Sequence, residues 1–348
     1  LLERGFHVYS INPKQLDRFR DRHTVAGAKD DKLDALVLAD SLRTDRKLFR
    51  RVKMDDPQII QIRELSRMYD EIGVDLQRAL NRLDGQLARY YPQIIALSPG
   101  PDDRWIWDLV QMAPTPERAR HLSQSKVDAL LKKHRIRRLS AEKVVETLRS
   151  PAFYVAPGTV EAASRHALVL VSQAQLLFEQ RKQVDTDINN LLQDLSSEEL
   201  DGGNKREHHD AEIILSVPGC GNHFVATVLA EASQALADRN YKALRASAGA
   251  APVTKRTGKS RMVSMRYACN NRLRKALYHA ASSHAMCDPK ARTLYAAHKA
   301  RGHTHARAVR SVGDRLLKLI VSMLDHRAIF DPSRRHIKPA ESTLADAA

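Results

Sequence analysis

TKRTGKSRMVSMRYACNNRLRKALYHAA, residues Thr254 to Ala281, contains Gly258-Lys259-Ser260, the ending of a phosphate-binding P-loop. A P-loop requires a further glycine five residues earlier, because backbone amides must close around the phosphates without obstruction by side chains. That position is Val253. No strand-like apolar run leads into it either: Ala246 to Pro252 is a run of small residues ending in a proline that cannot donate a hydrogen bond. Nucleotide binding is set aside, and the phosphate expected here belongs to something else.

Charge says what. The chain of 348 residues carries a net charge of +16. Between Arg239 and Gly313 there are 17 Lys and Arg against one acid, Asp288, so this segment holds the whole excess and the remainder is balanced. A solvated basic surface is the bland explanation of such a run; a long segment almost without acids is better explained by a polyanion, and nucleic acid is the leading partner. Thr257 and Ser260 lie among Lys255, Arg256, Lys259 and Arg261, with Arg266 following. These cations would orient a phosphodiester and stabilise charge as a hydroxyl attacks phosphorus. Equally, both hydroxyls could serve only to bind phosphate or to cap the next helix. Ser264 is further from the glycine turn and has a weaker claim. Arg272, Lys275 and His279 recur at helical spacing, so one helix face can follow a phosphate backbone. His303 and His305 have no cysteine or carboxylate close in sequence, which argues against a metal there.

Working outward, the length allows two or three domains and the 43% hydrophobic content suffices for ordinary cores. No uninterrupted apolar stretch reaches the roughly 20 residues that span a bilayer, so the expectation is a cytoplasmic protein without a membrane partner. Cys220, Cys269 and Cys287 are widely spaced and lack zinc-site or disulfide-scaffold patterns, and are expected to be buried or inert thiols. Apolar residues from Ile62 through Leu65, Tyr69, Ile72, Leu76, Leu80, Leu83 and Leu87 to Tyr90 alternate three and four apart, which is heptad spacing. A second run from Ala167 to Leu195 keeps this rhythm, with Arg181 at one seam position, and the two predict helices that pair antiparallel within one chain or across a dimer. Between them, SPGPDD and APTPE mark loops around a helical insertion. After the polar linker 201–210, LSVPGCGNHFVATVLAEA sets a glycine-bounded turn between helices. Such a turn either aims backbone amides at a nucleic-acid phosphate, as in helix-hairpin-helix modules, or is a tight corner that needs glycine. The last residues, 331–348, are poor in apolar side chains and are expected to be disordered.

At the other end, FHVYSI (6–11) predicts a short strand ended by Asn12-Pro13, Lys14 to Arg22 a helix, and AKDDKLDALVLADSLRTD a second helix with Leu33, Leu36, Val37 and Leu42 near one face. Asp31 and Asp34 are three apart and share a helix face, so they could hold a divalent cation together, although surface acids in that spacing are common. Asp40 and Asp45 read as surface or capping residues. The chain opens on Leu1 in mid-pattern, and residues upstream are expected.

Taken in order, VYSINPKQLDRFR, AKDDKLDALVLADSLRTD, the heptad stretch, LSVPGCGNHFVATVLAEA, the block of form AGxAPVTKRxGKS and RGHTHARAVRSVGDRLL resemble the DEDD-type, bridge-RNA-guided transposases of insertion-sequence family one hundred and ten. The resemblance covers nearly the whole chain. It implies a mainly α protein with an N-terminal α/β remnant: the C-terminal part of a RuvC-like, RNase H-type domain (1–58), a coiled-coil connector with a helical insertion (59–200), a transposase domain (201–330) and a tail (331–348). It further implies a DNA recombinase in which four acids hold Mg2+, a serine attacks DNA to form a covalent intermediate, and a structured guide RNA pairs with element ends and target. Asp31 and Asp34 match the last two acids of that tetrad; the first two belong to strands this chain lacks, so the 348-residue chain is expected to be catalytically deficient. At the nucleophile position stands Thr257, whose extra methyl restricts χ1 and crowds an in-line attack. Ser260 is the alternative nucleophile, displaced along the chain by roughly three times the 1.5–3.3 Å rise per residue. The resemblance also implies a homodimer or tetramer associated with the bacterial nucleoid. Two other readings remain: a decayed transposase that only binds nucleic acid, and a coiled-coil structural protein, which leaves the concentrated charge unexplained.

Overall fold

The computed structural model describes residues 1–23, 30–52, 55–98, 100, 102–151, 154–197 and 206–333. Residues 201–205 of the expected linker and 334–348 of the expected tail lie outside that set.

The N-terminal part is small. β1 (Tyr9–Ser10) is followed by α1 (Pro13–Arg20), α2 (Asp31–Asp45) and β2 (Arg50–Arg51). Asn12 starts α1 by accepting a hydrogen bond from Lys14 N, with Pro13 in the first turn, where no intrahelical N–H bond is needed. The strand expected over 6–11 shrinks to two residues because its antiparallel partner β2 is itself only two residues long, and Phe6 is exposed. In α2, begun by the Asp30 cap on Lys32 N, Val37 is the fully buried residue, whereas Leu36 and Leu42, expected on the same face, are exposed.

Among the described residues that follow, the regular structure is helical apart from one hairpin. The first heptad run forms α3 (Pro57–Tyr90), a 34-residue helix started by Asp56, which accepts from Gln58 N. The insertion is a set of short helices: α4 (Pro92–Ile95), α5 (Arg104–Met112), α6 (Pro116–Arg120), α7 (Gln124–Lys133) and α8 (Ala141–Arg149). Thr115, Ser123 and Ser140 cap the last three through their hydroxyls. The second heptad run lies in α9 (Pro157–Ser197), which packs antiparallel along α3: Gly73 meets Arg181, and Arg82 reaches His166 at 3.4 Å. Arg181 fits into an apolar seam because its guanidinium carbon lies 4.1 Å from the centroid of the Tyr69 ring, and because Gly73 leaves space that a Cβ would narrow to 3.3 Å.

Then come α10 (Arg206–Leu215), α11 (Asn222–Ala237), α12 (Tyr241–Ser247), strands β3 (Val253–Thr257) and β4 (Ser260–Ser264), and α13 (Asn271–Cys287), α14 (Pro289–Ala300) and α15 (His305–Asp325). One core joins Ile59 and Ile62 of α3 and Val184–Leu195 of α9 to α10, α11, α13 and α15; a second joins Leu76–Tyr90 and Ala163–Ala174 to the insertion. The long helix pair therefore has one end built into the C-terminal core and the other into the insertion. Among the described residues no helix is long and apolar enough to cross a membrane. Cys220 is buried, and burial pushes its thiol up to about 12, whereas Cys287 is exposed.

The glycine corner has a packing reason. Gly219 adopts φ +87°, and a Cβ there would stand 2.4 Å from the backbone nitrogen of His284 on α13, while His284 Nδ1 lies 2.6 Å from Pro218 O. Gly219→Ala is expected to lower stability by about 3 kcal/mol in urea unfolding; unchanged stability would show that the corner does not need glycine.

Candidate nucleic-acid interface

Gly258-Lys259-Ser260 does not lead into a helix; it closes a hairpin. β3 and β4 pair antiparallel over five residue pairs, from Val253↔Ser264 to Thr257↔Ser260. The loop is Gly258-Lys259, with Gly258 at φ +55°, the left-handed conformation that a two-residue hairpin loop demands of its first residue. Thr257 and Ser260 are therefore cross-strand partners, with side chains on one face and Cβ atoms about 5 Å apart. The chain folds back on itself between them, so the two hydroxyls are cross-strand neighbours at the hairpin tip.

The ribbon has two unlike faces, because side chains alternate along each strand. With Thr257 and Ser260 go Lys255 and Met262; the other face pairs Arg256 directly with Arg261. Like charges directly opposite each other are unfavourable unless an anion lies between or beside them. All of these residues are exposed, and among the described residues no carboxylate forms an ion pair with Lys255, Arg256, Lys259 or Arg261. A two-stranded ribbon is at best marginally stable by itself. Here the support comes from its base: Arg266 Nε donates to Ala251 O at 3.2 Å, and Arg245 holds Asp314 through two bonds of 2.5 and 2.8 Å. Tyr241 Oη also donates to Asp314 at 2.8 Å; burial first, and then that carboxylate, push the phenol up to about 12.

On the downstream side the anchor is Glu231 of α11, a residue that the sequence reading missed. Its carboxylate accepts from Arg67 Nε at 3.1 Å and from Asn270 Nδ2 at 2.7 Å, and lies 3.3 Å from Arg272 Nε. Asn270 in turn caps α13, accepting from Arg272 N and Leu273 N. The available signal was one acid inside the apolar helix segment FVATVLAEA. Burial alone would raise the Glu231 pKa; the hydrogen bonds from Arg67 and Asn270 and the charges of Arg67 and Arg272 outweigh it and hold the carboxyl below its usual range.

The other predicted residues divide. Arg272 is committed to carboxylates, Glu231 and also Asp70 at 3.0 Å, so a flanking phosphate would have to compete with two acids. Lys275 and His279 are exposed on α13, and with Arg272 they line one groove of about 1060 Å³ between α3, α13 and the glycine corner. Asp34 lies on α2 with its Oδ1 2.6 Å from Arg20 NH2, while Asp31 is exposed in the first turn. Asp45 is bound by Thr44 and Arg22, and Asp40 by Arg43. Magnesium takes about six oxygens, and among the described residues no three His, Cys, Asp or Glu side chains stand together. Two carboxylates, one of them tied to an arginine, do not make such a site by themselves.

The chain is mostly helical among the described residues and carries an exposed basic hairpin, and the comparisons give the family. A DEDD-type transposase family model matches residues 1–92, and the model of the IS116/IS110/IS902 transposase family matches residues 211–296. The mini-circle candidate transposase for IS117 of Streptomyces coelicolor is 32% identical over 341 residues, covering 94% of this chain and 78% of that protein. The candidate transposase y4uE of Sinorhizobium fredii is 43% identical over 166 residues, covering 48% of this chain and 44% of its own length. An uncharacterised 43.6 kDa protein of insertion element IS110 from Streptomyces coelicolor is 25% identical over 305 residues, 85% of this chain and 71% of its own. The chain belongs to the IS116/IS110/IS902 family of insertion-sequence transposases.

The Glu231 network carries a pH signature. Because the folded carboxyl has a lowered pKa, its stabilisation is fully present above the unfolded value and is lost as pH falls through the folded value. Glu231→Gln is expected to cost about 2 kcal/mol at neutral pH and to flatten the acid limb of stability against pH. An unaltered acid limb in the variant would contradict the assignment.

Proposed function

We propose that this chain is a DNA transposase whose hairpin presents a hydroxyl nucleophile to a phosphodiester. The observation that carries the reading is the hairpin tip: Thr257 and Ser260 side by side, Lys255 on their face, Arg256 opposite Arg261 behind them, and no carboxylate partner for any of these cations among the described residues. Thr257 Oγ1 would form a bond to phosphorus as one ester P–O bond breaks. The hydroxyl proton passes to solvent, the departing strand oxygen takes up a proton, and the protein is left joined to the other strand end. The cations would stabilise the charge that builds on the non-bridging oxygens. Thr257 has the first claim as nucleophile, since it stands where the resembling proteins carry serine; Ser260, its cross-strand neighbour, is the alternative.

The finer parts of the reading rest on family membership and the sequence resemblance. Asp31 and Asp34 would supply two carboxylates of an Mg2+ site within a RuvC-like domain; when bound, the ion would polarise a phosphoryl oxygen. Sequence choice would fall to a structured guide RNA, leaving the protein to hold backbone phosphates, and two or four copies would cut the several strands required. A second reading, a decayed copy that binds without cutting, is favoured by the engagement of Asp34 with Arg20 and by the methyl of Thr257.

The experiment is capture of labelled target DNA by the chain, extended upstream where the gene provides it, with Mg2+ and its RNA, scored as a denaturation-resistant adduct. Thr257→Ala is expected to abolish the adduct, Ser260→Ala to leave most of it, and Thr257→Ser to raise it about tenfold or more. An adduct that survives Thr257→Ala and disappears with Ser260→Ala would move the nucleophile across the hairpin. An adduct seen only with Thr257→Ser would establish the decayed reading.

A further inference from the structure

Beside the hairpin base lies a cavity of about 270 Å³ between α13, α15 and the loop after α12. Its walls are largely apolar, with Leu277, Tyr278, Val309 and Met265 facing Ala250, and no acid lines it. Its rim is cationic: Arg274, Lys275 and Arg310. Among the described residues none of the three meets a carboxylate, and the acceptor for Arg310 is the thioether of Met265, a weak one for a guanidinium. A second cavity of about 410 Å³ adjoins it, sharing Gly249, Ala250, Met265 and Arg310 and adding Arg266, Arg307 and the hairpin residue Ser264. Its one acid, Asp314, is already held by Arg245 and Tyr241.

An apolar slot with an aromatic wall, adjoining a trough in which Arg307 and Arg310 have no carboxylate partner among the described residues, has the chemistry of one nucleotide: a flat base that leaves water and a phosphate that meets cations. We propose that this cavity accepts one unpaired base of the DNA strand engaged by the hairpin, held out of the stack against Tyr278, while Arg310 and Arg307 hold its phosphate. A base in that position would fix the register of the strand relative to Thr257, which backbone contacts alone do not set. The inference deepens the DNA-transposase reading and rests on it. Extruding a base costs a few kcal/mol in a duplex and least in an unpaired strand, so the pocket selects unpaired DNA.

The test uses the full chain with DNA oligonucleotides (a single strand, the same strand with one abasic position, and the duplex) and an RNA strand of the same sequence. Ala306, exposed at the cavity mouth, is changed to Phe to block entry without touching the core, and Arg310→Gln removes the phosphate partner. Expected are an affinity for the single strand about tenfold lower in both variants, an unchanged affinity of A306F for duplex, and wild-type binding of the abasic strand as weak as A306F binding of the intact one. Equal single-strand affinity of A306F and wild type, or indifference to the abasic position, overturns the pocket while leaving DNA binding by the hairpin in place. A loss confined to an RNA strand of the same sequence overturns the assignment to DNA. Failure of the unmodified chain to bind any of the DNAs sinks the transposase reading and the pocket together.

Discussion

Glu231 is the constraint on which the working part of the molecule depends. One carboxylate on α11 ties α3 through Arg67 and reaches the start of α13 through Asn270 and Arg272. Those contacts fix the strand that leaves the hairpin, while Arg245, Asp314 and Tyr241 fix the side that enters it. Burying a carboxylate is costly unless charged donors surround it, and this one has them. The result is a rigid base under a ribbon that makes few contacts of its own, with its hydroxyls and cations turned outward.

The sequence and the structure divide the charge in the same physical way. Several cations that serve the fold have acids beside them: Arg20 with Asp34, Arg67 and Arg272 with Glu231, Arg239 with Asp210, Arg245 with Asp314. Lys255, Arg256, Lys259 and Arg261 on the hairpin, and Arg274, Lys275, Arg307 and Arg310 around the adjacent cavities, have none among the described residues. Electrostatic self-repulsion of that second group, most directly between Arg256 and Arg261, is tolerable for a surface that meets a polyanion.

What could be read in the sequence was whatever has a local period or a local cap. The heptad runs became α3 and α9 because their apolar residues recur on one face, and even the irregularity at Arg181 was visible, although its accommodation by Gly73 and Tyr69 was not. The hairpin itself was hidden, because TKRT and SRMVS alternate without a buried face and so give no apolar period to detect. Its consequence, that Thr257 and Ser260 are cross-strand neighbours on one face, needs the turn geometry. The partner of Glu231 was illegible for a different reason: an acid inside an apolar helix marks the residue, but Arg67 is 164 residues away and nothing local marks a long-range ion pair. The ion pairs of Arg272 were hidden on the same ground: its helical spacing with Lys275 and His279 is local, but Glu231 and Asp70 lie far away in sequence.

The central claim is that the hairpin cations exist for phosphate, and the salt dependence of DNA affinity measures it most directly. Each phosphate contact removed lowers the slope of log affinity against log salt by about 0.9 on duplex or 0.7 on single strands. Replacing Lys255, Arg256, Lys259 and Arg261 by glutamine is predicted to reduce that slope by about 3 with the helical fold retained. An unchanged slope in the folded variant would mean that these residues do not touch the nucleic acid.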